Sequence, residues 1–272
     1  MEKDSKTGRV TEVARGIVIT FEGIEACGKG TQVAMLAERL KLEGYPVSTL
    51  KYYEPGGTPL ADHIRAIIKQ NIDKPGQQAL MSIEPLLASY EMDPLTQAFL
   101  FFAARAHQFH FKLKKEIDEG KIVILDRSVD STIVYQGYAQ DQSLIPLLRA
   151  NNSACLSVNG IEIAKTFLLD ISVDIAMKRV TLRKKFDRFD SRKKDFFERV
   201  RQGYLSEVTF SNSEKLVAQR KKFGEVRGRI QLIDGDRKPE LINEEVYRII
   251  EPLLAHMQKF PQVTSFSPNA SR

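Results

Sequence analysis

The sequence predicts an α/β fold: a doubly wound, five-stranded parallel sheet with helices on both faces. Three observations predict it. Short β-branched apolar runs alternate with segments of helical period, the pattern of β-α units that build a parallel sheet. A glycine-rich stretch, FEGIEACGKGTQ at 21–32, joins the first run to the first helical segment. The residues able to do chemistry fall just after predicted strands, where such sheets bind their ligands.

The elements follow in order. Gly16–Phe21 (GIVITF) is short, apolar and β-branched, so it predicts a buried strand. Val33, Leu36, Ala37 and Leu40 recur at helical spacing, and Gly44 closes that helix. Val47–Leu50 is the second strand candidate. Leu95–Ile117 predicts a long helix with Phe102, Ala106, Phe109, Leu113 and Ile117 along one stripe. Strands are expected at Ile122–Leu125, Thr166–Leu169 and Arg229–Ile233, and Leu241–Met257 is a closing amphipathic helix. No internal repeat or low-complexity block interrupts the series.

Composition narrows the class. Of 272 residues, 42% are hydrophobic and 28% charged, enough for a sizeable globular core. No stretch approaches the ~20 apolar residues of a membrane helix, and the N-terminus lacks the apolar segment of a signal peptide. Cys27 and Cys155 make no disulfide framework, which suggests a reducing, cytoplasmic setting. The charge of +6 suits anionic ligands. The basic runs at 178–201 and 215–229 are interleaved with acids and poor in aromatics, so they predict solvated helix faces rather than a nucleic-acid surface.

The stretch 21–32 nearly meets the phosphate-loop pattern G-x-x-x-x-G-K-[ST], through Gly23, Gly28 and Lys29. Backbone N–H groups of Gly23, Ile24, Glu25, Ala26, Cys27 and Gly28 can wrap phosphate oxygens there. The helix start at Lys29, Gly30, Thr31 and Gln32 adds its positive end, and Lys29 can bridge the outer phosphates. Gly30 replaces the hydroxyl that ordinarily ligates Mg²⁺, so a metal is expected to rest on ATP phosphates, water and Asp126, which follows a strand. Cys27 reads as a small filler residue near a helix start, although a thiol there can also be redox-sensitive.

FEGIEACGKGTQ, EPGGTPLADHIR (54–65), FFAARAHQ (101–108), DRSVDSTIVYQG (126–137) and DRFD (187–190) stand in the order and spacing of the thymidylate kinase family. The resemblance spans about 16–257. It implies a P-loop three-layer fold with a short lid, and transfer of the ATP γ-phosphate to dTMP with Mg²⁺. It also implies a domain at 16–259 with the lid at about 182–192, between a flexible extension at 1–15 and a flexible tail at 260–272.

The resemblance assigns roles residue by residue. Phe101 stacks on thymine and Arg105 contacts a base carbonyl, with Gln108 on the same helix face. Arg127 binds the acceptor phosphate. Glu25 contacts the sugar 3′-hydroxyl, and Ser131, Thr132, Tyr135 and Gln136 line the nucleoside pocket. Tyr135 crowds the 2′ position. Glu54 sits in the turn beside the acceptor. Ala26 leaves the phosphate loop without a basic residue, so the lid is expected to supply one from Arg183 or Arg188, assisted by Lys184 or Lys185. Lys29, Arg127, Arg183 and Arg188 form the catalytic set, acting by positioning and charge. The family is homodimeric, and the helix Leu95–Ile117 is the candidate face.

The sequence departs from the family in three places. Gly30 lacks the hydroxyl. Tyr53, preceded by Lys51 and Tyr52, stands where the family has an acceptor-binding Arg. Ser128 replaces an aromatic or His, and Asp-Arg-Ser is also similar to deoxynucleoside kinases. A nucleoside or other monophosphate kinase is therefore one alternative. A catalytically impaired nucleotide-binding protein is another, with 71–93 and 141–160 as longer connections able to carry a partner surface.

Overall fold

A computed structural model describes residues 15–48, 55–69, 92–182, 194–213 and 228–255, with 2–3, 10–11, 52–53 and 257. The expectations for the lid at 183–192, for Lys51 and Glu54, for most of 71–93, and for the tail lie outside these residues. So do those for much of the first 15 residues, where Glu2–Lys3 and Val10–Thr11 form one short antiparallel pair.

One parallel sheet organises the chain. Its strands are β1 (Ile17–Glu22), β2 (Tyr52–Tyr53), β3 (Ile122–Asp126), β4 (Ile163–Asp170) and β5 (Ile230–Asp234), in the order β2-β3-β1-β4-β5. Four of these, of 5 to 8 residues, carry the sheet, whereas the expected second strand is only a two-residue edge. Its position also differs from expectation. Val47 makes a single parallel bridge to Ile122, and the ladder forms later, at Tyr52–Tyr53 beside Leu125–Asp126. An edge strand has one partner, so its apolar pattern constrains its register weakly.

The central strands form where the sequence is apolar and β-branched on both faces. In β1, Val18, Ile19, Thr20, Phe21 and Glu22 are all buried, and Phe21 packs on Phe167 of β4 with ring centroids 5.4 Å apart. Thr20 and Thr166 satisfy each other by a 2.7 Å hydroxyl bond across the strands. Register then aligns the strand ends: Phe21 lies opposite Asp126 and Asp170 opposite Asp234.

The helices are α1 (Lys29–Leu42), α2 (Pro59–Lys69), α3 (Pro94–Gln108), α4 (Val129–Thr132), α5 (Ile145–Ser157), α6 (Val173–Thr181), α7 (Lys194–Ser211) and α8 (Pro239–Leu254). α3 starts at Pro94 because Asp93 accepts the Thr96 N–H at 2.9 Å. It continues without a break through a π-helical turn, Phe109–Leu113, to Asp118. Phe102, Phe109, Leu113 and Ile117 are buried as expected, but Ala106 is exposed and Arg105 and Gln108 take the buried face. An apolar stripe alone does not mark this face, because two of its inward positions are polar. A second π-helical turn, Ile133–Tyr138, extends α4 and carries Tyr135 and Gln136.

The segment 141–160 is not a free connection. It forms a 3₁₀ turn, Gln142–Leu144, and then α5, whose Leu148 and Asn152 are buried.

Candidate active site

The phosphate loop leaves β1 at Gly23 and enters α1 at Lys29. Its shape depends on backbone conformations that side chains resist. Gly23 has φ 137°, and a Cβ there would stand 2.5 Å from the Leu169 carbonyl oxygen and 2.8 Å from Cys27 Sγ. Gly28 has φ 101°, and Ala26 is held at φ 57°. No side chain caps α1, so its first N–H groups face the loop without an internal acceptor. Cys27 is buried against Gly23 and acts as the filler the sequence suggested.

The Lys29 ammonium folds back into this loop. It donates to the carbonyl oxygens of Gly23 (3.1 Å) and Ile24 (2.9 Å) and lies 3.5 Å from Cys27 Sγ. No carboxylate among the described residues pairs with it. Thr31 and Gly30 are exposed at the helix start. Gln32 is not: its amide donates to the Pro239 carbonyl (2.9 Å) and accepts from Asn243 (3.2 Å). Its side chain therefore ties α1 to α8, while its place in the first turn of α1 stays at the loop.

Arg127 occupies the centre of the site. It follows β3 at φ 71°, with its N–H donated to the Phe21 carbonyl at 3.0 Å. Its guanidinium donates to the Gly23 carbonyl (3.0 Å), Ser131 Oγ (3.2 Å), the Tyr204 hydroxyl (2.9 Å), Glu25 Oε1 (3.0 Å) and the Tyr135 hydroxyl (3.0 Å). The Tyr135 hydroxyl donates in turn to Glu25 at 2.7–2.8 Å. Burial and the negative charge of Glu25 push the Tyr135 phenol well above its ordinary value, against the opposing pull of Arg127. Expected phosphate, sugar and pocket residues thus meet around one cation.

The residues expected on the base side lie next to this cluster. Arg105 is 1% exposed and donates to Asn152 Oδ1 (2.6 Å), Thr132 Oγ1 (2.7 Å) and the Ser128 carbonyl (3.3 Å). Asn152 is held by its own bond to the Val129 carbonyl. Phe101 is half-buried beside this face. Gln136 bonds Gln97, and Gln108 donates to the Gly56 carbonyl at 2.7 Å. His107 reaches Thr58 (2.9 Å) and Lys112 reaches the Gly57 carbonyl, so α3 fixes the turn at 55–58.

Several residues here were given no role by the sequence. Glu22 ends β1 fully buried, accepting from the Ser128 N–H (2.7 Å), Ser131 Oγ (2.6 Å) and the Tyr204 hydroxyl (2.9 Å). Arg229 pairs with buried Asp130. Arg179 on α6 donates to the Ala26 carbonyl (3.4 Å) and to Asp236 (2.9 Å), so it lies against the phosphate loop. Arg179 belongs to the basic run read as a solvated face; only its spacing from neighbouring arginines could have singled it out.

Asp126 is half-buried, and a Cβ built on Gly30 would stand 3.7 Å from its Oδ2. Among the described residues no three His, Cys, Asp or Glu side chains gather to hold a metal. One carboxylate beside a phosphate loop fits Mg²⁺, which takes few protein ligands and keeps phosphates and water.

A glycine loop over an uncapped helix start, with a buried lysine and a strand-end Asp-Arg pair, is the arrangement of a P-loop nucleotide-binding protein. A sequence model described as Thymidylate kinase matches residues 21–84 and 75–230. The chain is 33% identical over 240 residues to a thymidylate kinase of Thermoanaerobacter pseudethanolicus, covering 88% of this chain and 100% of the relative. It is 34% identical to one of Caldanaerobacter subterraneus (88% and 97% covered) and 36% identical to one of Geobacter sulfurreducens (70% and 83%). The chain belongs to the thymidylate kinase family.

Proposed function

We propose that the chain transfers the γ-phosphate of ATP to dTMP, giving dTDP. One observation carries the reading: Arg127, the acceptor-phosphate arginine, donates directly to Gly23, the first residue of the donor loop, at 3.0 Å. A donor phosphate on the loop and an acceptor phosphate on Arg127 are therefore neighbours, as in-line transfer requires. The dTMP phosphate already carries negative charge, so no strong general base is needed.

Lys29 shifts from the loop carbonyls to the outer donor phosphates, and Arg127 follows charge as it moves to the acceptor. Arg105 and Phe101 hold the thymine, with Gln108 and Gln136 behind them. Glu25 takes the 3′-hydroxyl, and Tyr135, with Ser131 and Thr132, closes the 2′ side against ribose. Glu54, Arg183 and Arg188 complete the reading as acceptor-turn and lid residues. Mg²⁺, when bound, offsets phosphate charge, and Asp126 would hold it through water. Two free cysteines agree with a cytoplasmic setting. No described helix is long and apolar enough to cross a membrane. The exposed Leu95, Phe99 and Phe111 along α3 and its continuation support a homodimer; light scattering at the monomer mass would count against it.

The test is ADP release with ATP, Mg²⁺ and each of dTMP, dUMP, dCMP, AMP and thymidine. Turnover with dTMP that falls with dUMP is expected. Turnover with thymidine but not dTMP would move the chain to the nucleoside kinases. No turnover with intact ATP binding would leave the impaired homologue, with Tyr53 and Gly30 as its cause.

Gly30 offers a separate test. A serine side chain fits, because the added Cβ meets Asp126 only at van der Waals distance. Gly30→Ser should lower the half-saturating Mg²⁺ about five-fold, equivalent to roughly 1 kcal/mol from one more oxygen ligand. An unchanged Mg²⁺ dependence would place the metal away from Asp126.

A further inference from the structure

Beneath Arg127 lies a ring of three oxygens from three distant parts of the chain. Ser131 Oγ stands 2.6 Å from Glu22 Oε2, the Tyr204 hydroxyl 2.9 Å from the same oxygen, and the two hydroxyls 2.8 Å from each other. Arg127 donates to both hydroxyls, and the Ser128 N–H holds the other carboxyl oxygen. Glu22 and Tyr204 are each no more than 3% exposed. We propose that Glu22 and Tyr204 are positioning residues for the acceptor phosphate: through this ring they aim the Arg127 guanidinium, and the ring closes fully when Glu22 carries a proton. The inference rests on the reading of Arg127 as the acceptor-phosphate arginine.

Proton bookkeeping supports it. With Glu22 ionised, the two hydroxyl protons both point at its carboxylate and the Ser131–Tyr204 contact has none. With Glu22 protonated, each contact has its own proton, and a Tyr204 lone pair still faces Arg127. Burial first, and then the Asp130 carboxylate, push Glu22 up to about 7, against Arg127 and the bonds from Ser131 and Ser128. The charged and titratable groups around it are Arg127 after β3, Asp130 on α4 paired with Arg229, and Tyr204 on α7. Glu25 and Tyr135 act through Arg127, and Glu207 through Asp130.

The sign follows. A dianionic acceptor phosphate on Arg127 favours uncharged Glu22, so acceptor binding is tighter below the Glu22 ionisation and weakens as pH rises through about 7. The acceptor's own second ionisation, near pKa 6, works in the opposite direction and is complete above about pH 7.

The experiment measures KM for dTMP and for ATP from pH 6 to 8.5, as probe values, in the wild-type chain, Tyr204→Phe and Glu22→Gln. Wild-type KM for dTMP should rise about five-fold between pH 7 and 8.5. In Glu22→Gln, whose amide supplies the third proton at every pH, that rise should vanish. Tyr204→Phe should lower kcat/KM for dTMP about ten-fold, the loss of one bond to a charged group, with KM for ATP unmoved. A Glu22→Gln profile matching wild type would overturn the inference, as would Tyr204→Phe raising both KM values together. Should Tyr204→Phe fail to fold, the Glu22→Gln profile decides. A wild-type chain that turns over no monophosphate removes the underlying reading, and this role with it; a wild type that turns over dTMP, with both variants matching it, overturns the positioning role alone.

Discussion

Arg127→Ala is expected to lower kcat/KM for dTMP about a thousand-fold, the lower end of what a phosphate-binding arginine contributes to phosphoryl transfer. Two effects combine. The acceptor phosphate loses its cation, and five oxygens arranged around that cation lose their common donor. Glu25 then faces Tyr135 with no counter-charge, since its ion pair with Arg127, at 3.0 Å, is gone. Removing one partner of such a largely buried pair costs about 3 kcal/mol, so urea unfolding should show a loss of that order. Arg127→Lys should restore little, because a single ammonium cannot reach acceptors spread around a planar fork. Steady-state rates with varied dTMP at saturating ATP, beside direct ATP binding, check the claim. An equal fall in ATP affinity would show that Arg127 works by bracing Gly23 instead.

Lys29→Ala should lower kcat about a hundred- to thousand-fold, the usual cost of removing one preorganised donor from the developing charge. Its stability effect should differ from that of Arg127→Ala. The ammonium is buried among the Gly23 and Ile24 carbonyl oxygens, and no described carboxylate pairs with it. A buried charge with only neutral partners stabilises the empty fold little. Thermal melting of Lys29→Ala without nucleotide should therefore match or exceed wild type. The ATP-induced rise in melting temperature should shrink. A variant that melts well below wild type without nucleotide would show Lys29 to be a structural brace of the loop.

The two variants also separate what local pattern reveals from what packing adds. Lys29 was legible because a phosphate loop is local: strand, glycines, lysine and helix are consecutive, and each has its own backbone reason. The same holds for the four main strands, whose apolar β-branched runs match both faces of a parallel sheet. Asp126 and Arg127 are legible as candidates because strand ends carry ligands in this architecture. The second strand lies at Tyr52–Tyr53 rather than 47–50 because only two of its residues pair, too few for a hydrophobic pattern to mark, whereas the other edge, β5, pairs over five residues and lies where its apolar run predicts. Ala106 is exposed although it fits an apolar stripe, because Arg105 and Gln108 take the inward positions beside it.

What the sequence determined by itself is the fold class and the chemistry. The glycine loop, Lys29, Asp126 and Arg127 stand at or shortly after strand ends, in the order of motifs that places the chain in the thymidylate kinase family. What only the tertiary structure decided is how those groups are held. Tyr204 meets Glu22 across 182 positions, Arg127 meets Gly23 across 104, and Gln32 meets Pro239 across 207. Such bonds follow from strand order and helix docking. A buried hydrogen-bond partner has no spacing in the sequence, and its identity is set by whichever polar group the packed chain brings within 3 Å.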